Sequence, residues 1–211
     1  MLGTSKDIKY PGLNILPPGV ERHVVNGGGL TGFQVFPDDE IEIVNNEGNQ
    51  ICEIICFDKS GKSELGIFNL KENSKKNYIK NILLGKDESI LATNYQLKKR
   101  NLNISDSHAA IIFDPDTNAG EVIKLKSKDK CYAIFASPGD DMDVTNQNPP
   151  GELTIFIKRS KITNDKELNV IPDPVFEPAH EENILRQSCT SYEVKEGDYI
   201  QIISPTGRQC S

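Results

Sequence analysis

The sequence predicts a mainly β fold, a sandwich or a cupin-like barrel with one or two helices, although an α+β arrangement also fits. Short runs of β-branched and aromatic residues recur along the chain. Turns rich in Asp, Pro, Asn and Gly separate these runs, for example at residues 114–116 and 137–140. Short strands at this spacing are typical of sandwiches and small barrels.

The front of the chain predicts a lead-in followed by paired strands. Residues 1–30 are rich in Pro and Gly, which predicts an extended lead-in. Apolar and polar residues then alternate over 33–35 and 40–44, on either side of an acidic turn at 37–39. A second turn at 45–48 leads into QICEIICF, a run dense in β-forming residues. The natural interpretation is strand, turn, strand.

One helix and four further strands are expected in the rest of the domain. The helix extends over 74–84, where Ser74 is the expected cap and Gly85 the stop, and its apolar stripe is Tyr78, Ile79, Ile82 and Leu83. The basic cluster at 98–100 is interpreted as a solvated turn. The later strands are predicted at 108–113, 121–125, 131–136 and 153–158.

These elements define a first domain over 31–160. Proline dominates residues 171–178, so a stiff interdomain linker is predicted over 161–185, because proline favours extended backbone and cannot join a central strand. Residues 186–211 are interpreted as the truncated start of a second copy of the domain.

An internal repeat is the basis for that second copy. FQVFPDDEIEIVNNEGNQIC, from Phe33, aligns without gaps with YEVKEGDYIQIISPTGRQCS, from Tyr192, at an offset of 159 residues. Both segments contain, in the same order, an aromatic residue, a strand pattern, an acidic turn, an alternating strand pattern and a turn with the sequence Gly-x-Gln. Chance resemblance between two hairpins is the alternative, but the unbroken register favours duplication.

Composition excludes several functional classes. The chain of 211 residues has 36% hydrophobic and 26% charged residues, as globular proteins do, and its net charge of −7 argues against binding to a phosphate backbone. No apolar run approaches the ~20 residues of a membrane span, and the start lacks the features of a signal peptide. Five irregularly spaced cysteines fit reduced thiols in the cytoplasm.

No metal site is predicted from the cysteines and histidines. Cys52 and Cys56 lie in a strand-like run, where residues four apart are separated by about 13 Å, too far to share a zinc ion. Cys131 is interpreted in the same way, as a buried structural thiol. His23 and His180 lie in Pro/Gly-rich or linker context, and residues 27–29 lack the strand and helix of a phosphate loop.

Three residues are candidates for catalysis. Glu53 shares a strand face with Ile51 and Ile55, which is a costly position for a carboxylate unless it is paired or used. His108 directly precedes an apolar strand, where it is placed to act as a ligand or general base, and Asp106 is placed to orient its ring. The alternatives are a solvated Glu53 and a surface histidine. The sequence identifies no cofactor-binding residue.

Three segments carry a resemblance to a known family: residues 27–54, NPPGELTIFIKRS (148–160) and the final twenty residues. They resemble the urea-carboxylase-associated domains of formerly unknown function, in the tandem form found before a glycine-cleavage T-protein (aminomethyltransferase) domain. The resemblance implies a transferase that uses tetrahydrofolate in a later domain, so that this part alone is inactive. Where relatives have His-Asp followed by Ala-Cys, this chain has His108-Ala109-Ala110, which argues against metal binding.

Three functions follow as hypotheses. The first is an accessory or small-molecule-binding region of an aminomethyltransferase-like protein, in contact with the rest of its own longer chain. The second is a subunit of a metal-dependent hydrolase of urea- or guanidine-type amidines. The third is a structural domain that mediates assembly.

Overall fold

The structure, a computed structural model, describes residues 16–17, 19–85, 88–139, 149–160, 178–182, 184–185 and 188–202. Within these residues the prediction of a mainly β fold is confirmed, because the strands form two antiparallel sheets of four strands each. The elements are β1 (Val20–Val25), β2 (Leu30–Val35), β3 (Glu40–Asn45), β4 (Cys52–Asp58), α1 (Tyr78–Leu83), α2 (Glu88–Lys99), β5 (Ala109–Phe113), β6 (Glu121–Lys126), β7 (Cys131–Ala136) and β8 (Leu153–Lys158).

The two sheets face each other across the main core. One sheet has the order β1-β8-β3-β6 and the other β2-β7-β4-β5. Inward-facing side chains from both sheets form a single apolar cluster that includes Val35, Ile41, Ile54 and Phe135. The alternation seen in the sequence therefore corresponds to one buried face and one mostly half-buried face of β2 and β3.

A second cluster lies on the outer face of the β2-β7-β4-β5 sheet. Ile55 and Phe57 of β4 pack there against Ile79 of α1 and Leu97 of α2. Both faces of β4 and β7 are therefore covered, which explains why CEIICF and CYAIFA are continuous apolar runs interrupted only by Glu53. The helices make this a three-layer arrangement.

The lead-in predicted over 1–30 is wrong for its second half. Val20–Val25 form β1, which pairs antiparallel with β8 in the register Val25 to Leu153, and β2 begins at Leu30. Because this segment is rich in Pro and Gly, its sequence does not indicate a strand. The partner strand, β8, lies more than a hundred residues later. Such pairing depends on tertiary structure, which local propensity does not contain.

The helical region also differs from the expectation. α1 begins at Tyr78, four residues after the predicted cap, and α2 is a second, longer helix that the sequence analysis did not place. Lys98 and Lys99 form its last turn, and the guanidinium of Arg100 lies 4.8 Å from the centre of the Tyr132 ring. The basic cluster is thus a helix end rather than a free turn.

Most of the predicted linker lies outside the described residues, as does the end of the predicted second copy. Residues 188–202 contain no strand and expose several apolar side chains. The domain boundaries remain predictions. None of the helices in the described ranges has the length and apolar character that a bilayer crossing requires.

Candidate functional site

A cluster of charged side chains lies where β8 ends and the β2–β3 turn begins. Arg159 follows β8 directly, and its guanidinium donates hydrogen bonds to both oxygens of Glu21 on β1, at 2.7 and 2.8 Å. It also donates to Asp39 Oδ2 at 2.7 Å and to the Gln34 carbonyl at 3.0 Å. A planar fork matched to a carboxylate in this way fixes the position of both partners. We call Glu21, His23, Asp39 and Arg159 the charged cluster.

Asp39 is the buried member of the charged cluster. Its side chain is 1% exposed, yet it carries two oxygens that need partners. Oδ2 accepts from the Phe36 backbone N–H at 3.0 Å as well as from Arg159, and Oδ1 accepts from the Ser160 N–H at 2.9 Å. The carboxylate thereby connects the β2–β3 turn to the end of β8. A buried charge with this number of partners is compensated rather than reactive.

Glu21 and His23 form the more open side of the charged cluster. His23 Nε2 lies 3.2 Å from Glu21 Oε2, and the imidazole stacks on Phe33 with ring centres 4.7 Å apart. Burial by itself raises the pKa of Glu21, but hydrogen bonds from His23 and Arg159 outweigh burial and lower the pKa from 4.5 to about 2. Glu21 is therefore an anion that orients the imidazole, and this pairing is typical of histidines that transfer protons.

Glu53, a candidate from the sequence, is fully buried between β4 and α1. One oxygen accepts from Ser74 Oγ and from the Tyr78 N–H at 3.1 Å, and the other accepts from the Ile79 N–H at 2.6 Å. The carboxylate thus satisfies the first N–H groups of α1, a role that the sequence analysis assigned to Ser74. Its partners are structural, and Glu53 is not the solvated residue of the alternative interpretation.

His108 and Asp106 lie on the surface before β5 but are not paired with each other. His108 Nδ1 is 2.9 Å from Glu72 Oε2, and these two side chains are 57% and 52% exposed. Asp106 instead accepts from Asn103 Nδ2 at 3.1 Å. The predicted orienting role of Asp106 is therefore wrong in this structure, because Glu72 occupies that position. An ion pair this exposed contributes little energy.

The cysteines of the sheets are buried thiols. Cys52, Cys56 and Cys131 are all free, and the Cys56 thiol donates to the Glu64 carbonyl at 2.8 Å. A hydrogen bond with Cys131 and desolvation by burial both raise the pKa of Cys56. In the parts of the chain that the structure describes, no group of three His, Cys, Asp or Glu side chains is placed to hold a metal ion.

Sequence reasoning missed the charged cluster because its members are spread from residue 21 to residue 159. The sequence context of His23 gives little indication of a functional role, and Arg159 is notable there only as part of the segment 148–160. The sequence did contain one signal, since Asp39 recurs as Asp198 in the internal repeat. An aspartate that is merely exposed in a surface turn has no structural reason to recur, so its recurrence indicates a specific role.

No protein-family model matches the chain. A trimethylamine-oxide aldolase from Ruegeria pomeroyi is 33% identical to it over 204 residues, which are 97% of this chain and 26% of that protein. The chain thus spans about a quarter of the length of this curated relative. Among solved structures, it is similar to a DUF1989 family protein from Silicibacter pomeroyi, with a TM-score of 0.41 and 11% identity over 76% of this chain and 85% of that chain. A likeness this distant carries no argument.

These comparisons correct the functional expectation. The hypothesis of an aminomethyltransferase-like protein is wrong, because the relative that matches nearly the whole chain is named an aldolase. Neither comparison shows a T-protein domain fused to a domain of this kind.

Proposed function

We propose that this domain belongs to an enzyme that cleaves trimethylamine oxide to an aldehyde and an amine. The observation that carries the proposal is the 33% identity to a trimethylamine-oxide aldolase, which extends over 97% of this chain. An alignment of that extent includes both sheets and the helices, so it is not confined to one motif.

The chemistry of such a cleavage is self-contained. One methyl carbon–nitrogen bond breaks, the oxygen passes from nitrogen to that carbon, and the products are formaldehyde and dimethylamine. The carbon is oxidised while the nitrogen is reduced, so C3H9NO becomes CH2O and C2H7N without an external oxidant. The step needs a proton to leave the methyl group and a proton to reach the nitrogen.

Within this domain, His23 is the group that fits a role in that proton transfer. Its Nε2 is held by Glu21, which leaves Nδ1 for a ligand, and its side chain is 29% exposed. The buried carboxylates Asp39 and Glu53, by contrast, accept hydrogen bonds at both oxygens. The anionic Glu21 supports the imidazolium that forms when His23 accepts a proton.

The test is product formation by the natural full-length protein that carries this sequence. Formaldehyde and dimethylamine are expected in equal amounts from trimethylamine oxide, and neither is expected from trimethylamine, which lacks the oxygen. Turnover is measured instead of thermal stability, because trimethylamine oxide stabilises most folded proteins through its exclusion from their surfaces. Absence of both products from trimethylamine oxide refutes the proposed function.

A matched pair of variants tests the contribution of His23 to turnover. His23→Gln is expected to lower kcat by about 100-fold or more, which is the usual contribution of a general base. His180→Gln is the control, because His180 also lies beside a glutamate, 3.7 Å from Glu182, but is 67% exposed. Equal turnover by the two variants rules out a role for His23 and leaves the function itself untouched.

A further inference from the structure

Two contacts fix the imidazole of His23, one in the plane of the ring and one on its face. Nε2 lies 3.2 Å from Glu21 Oε2, and the ring stacks on Phe33 with a distance of 4.7 Å between ring centres and an interplanar angle of 28°. A stacking contact permits a ring to rotate in its own plane, whereas a hydrogen bond to one nitrogen does not. The position of the Glu21 carboxylate therefore decides where the two ring nitrogens point.

The hydrogen bond to Glu21 also determines which nitrogen of His23 carries the proton. The pKa of Glu21 is lowered to about 2, so its carboxylate is ionised near neutral pH and can only accept hydrogen bonds. In the neutral imidazole, Nε2 therefore donates to Glu21, and Nδ1 keeps its lone pair. Nδ1 is thus the nitrogen that can take up a proton from a substrate.

The Glu21 carboxylate is itself held by Arg159. Glu21 lies on β1, an edge strand, and its side chain is 41% exposed, so little packing restricts its rotation. Arg159 Nε donates to Oε1 at 2.7 Å, and a second nitrogen of the same guanidinium donates to Oε2 at 2.8 Å. Two hydrogen bonds from one planar fork fix the rotation of a carboxylate as well as its position.

The guanidinium of Arg159 is fixed from its buried side. Its third nitrogen donates to Asp39 and to the Gln34 carbonyl, and its central carbon lies 5.6 Å from the centre of the Phe36 ring. Asp39 is anchored in turn by two backbone N–H groups and is 1% exposed. The fork therefore has one orientation, which is set by the buried turn between β2 and β3.

We propose that Arg159 is a positioning residue for proton transfer by His23: its fork sets the Glu21 carboxylate, and the carboxylate sets the imidazole with Nδ1 available to the substrate. The catalytic part of this inference rests on the proposed function. It extends that function because it gives the end of β8, at the other end of the domain in sequence, a share in turnover. Arg159 acts through Glu21 and is not itself a catalytic residue.

The first test measures the orientation of the His23 ring by NMR on the full chain, whose three histidines can be followed one by one. The ring current of Phe33 is expected to shift the ring protons of His23 upfield from those of His108, whose side chain is 57% exposed. Arg159→Lys keeps the positive charge and removes the fork. The ring protons of His23 are therefore expected to move toward the His108 values in this variant, and unchanged shifts overturn the proposal.

Lys158→Met is the matched control, because Lys158 directly precedes Arg159 but pairs with Glu40 on the open face, where its side chain is 68% exposed. The His23 shifts of this control are expected to equal those of the unaltered chain. If Arg159→Lys loses its cooperative unfolding transition, Asp39→Asn takes its place, because it weakens the buried anchor of the guanidinium and leaves Arg159 present. The same ring protons are then expected to move in the same direction, and an unchanged spectrum overturns the proposal.

The second test measures turnover of trimethylamine oxide by the natural full-length protein. Arg159→Lys is expected to lower kcat by about 10-fold or more and to leave KM within about twofold, because a misplaced base slows the chemical step without weakening substrate binding. An unchanged kcat in a variant whose His23 ring protons have moved overturns the proposal. If the unaltered protein forms no product, the proposed function fails together with the catalytic part of this inference, whereas the NMR comparison still decides whether Arg159 orients the ring.

Discussion

Replacement of Arg159 by methionine tests whether the charged cluster holds the two sheets together. The guanidinium donates four hydrogen bonds, to Glu21, Asp39 and the Gln34 carbonyl, and its side chain is 10% exposed. Methionine keeps much of the apolar stem but leaves the buried Asp39 carboxylate without its cation. Removal of one partner of a buried pair costs about 3–5 kcal/mol. Two backbone N–H groups still serve Asp39, so we expect about 3 kcal/mol.

The assay is equilibrium unfolding in urea followed by circular dichroism, with the free energy extrapolated to zero denaturant. Lys124→Met is the control, because Lys124 pairs with Glu42 on the open face of the sheet, where the two side chains are 75% and 40% exposed. The urea midpoint of this control is expected to stay where it is in the unaltered chain.

A double variant distinguishes the cost of leaving the Asp39 carboxylate without its cation from the cost of lost packing. Asp39→Asn keeps an acceptor for the turn but removes the charge, so Arg159→Met together with Asp39→Asn is expected to be at least about 1 kcal/mol more stable than the sum of the single losses predicts. A loss below about 1 kcal/mol for Arg159→Met alone would refute the view that this cluster joins the sheets.

Three further predictions follow from the buried and charged groups. Glu53→Ala removes the acceptor for three donors, two of them buried, and is expected to cost about 3 kcal/mol in the same urea assay. An unchanged midpoint would contradict the capping role. Because the folded pKa of Glu21 is about 2 and its ordinary value is 4.5, its stabilisation is complete above 4.5 and is lost as the pH falls towards 2. Glu21→Gln is therefore expected to flatten the melting temperature across that window, and an equal slope in both proteins would argue against the pairing. In a Cys210→Ser variant, a thiol reagent at mildly alkaline pH is expected to label Cys189 at once and Cys56 only after unfolding. The reason is that a hydrogen bond with Cys131 and burial raise the pKa of the Cys56 thiol. Early labelling of more than one thiol would contradict this.

Some of the fold could be predicted because its signals are local. β7 and β8 match the predicted strands at both ends, and β5 and β6 differ from them by one residue. Each is a short run of β-forming residues between turn residues, so adjacent positions carry the information. The alternation around Ile41 and Ile43 is local as well, and the structure buries both isoleucines.

Other elements depended on partners distant in sequence. β1 is a strand because β8 pairs with it, and α1 begins at Tyr78 because Glu53, on a different element, accepts its first N–H groups. α2 has few apolar positions, with Ile90 and Leu97 buried against the outer face of the sheet, so its periodicity is weak. No window of the sequence contains these relations.

The sequence by itself determined which face of β3 is apolar, where several turns lie and that one hairpin pattern recurs after 159 residues, because these are properties of neighbouring residues. Only the tertiary structure decided that Glu21, Asp39 and Arg159 meet, since the antiparallel pairing of β1 and β3 with β8 brings residues from both ends of the domain to one edge. It also decided the role of Glu53, whose surroundings became buried when α1 packed on the sheet. Charge compensation acts through space, and the sequence records only order along the chain.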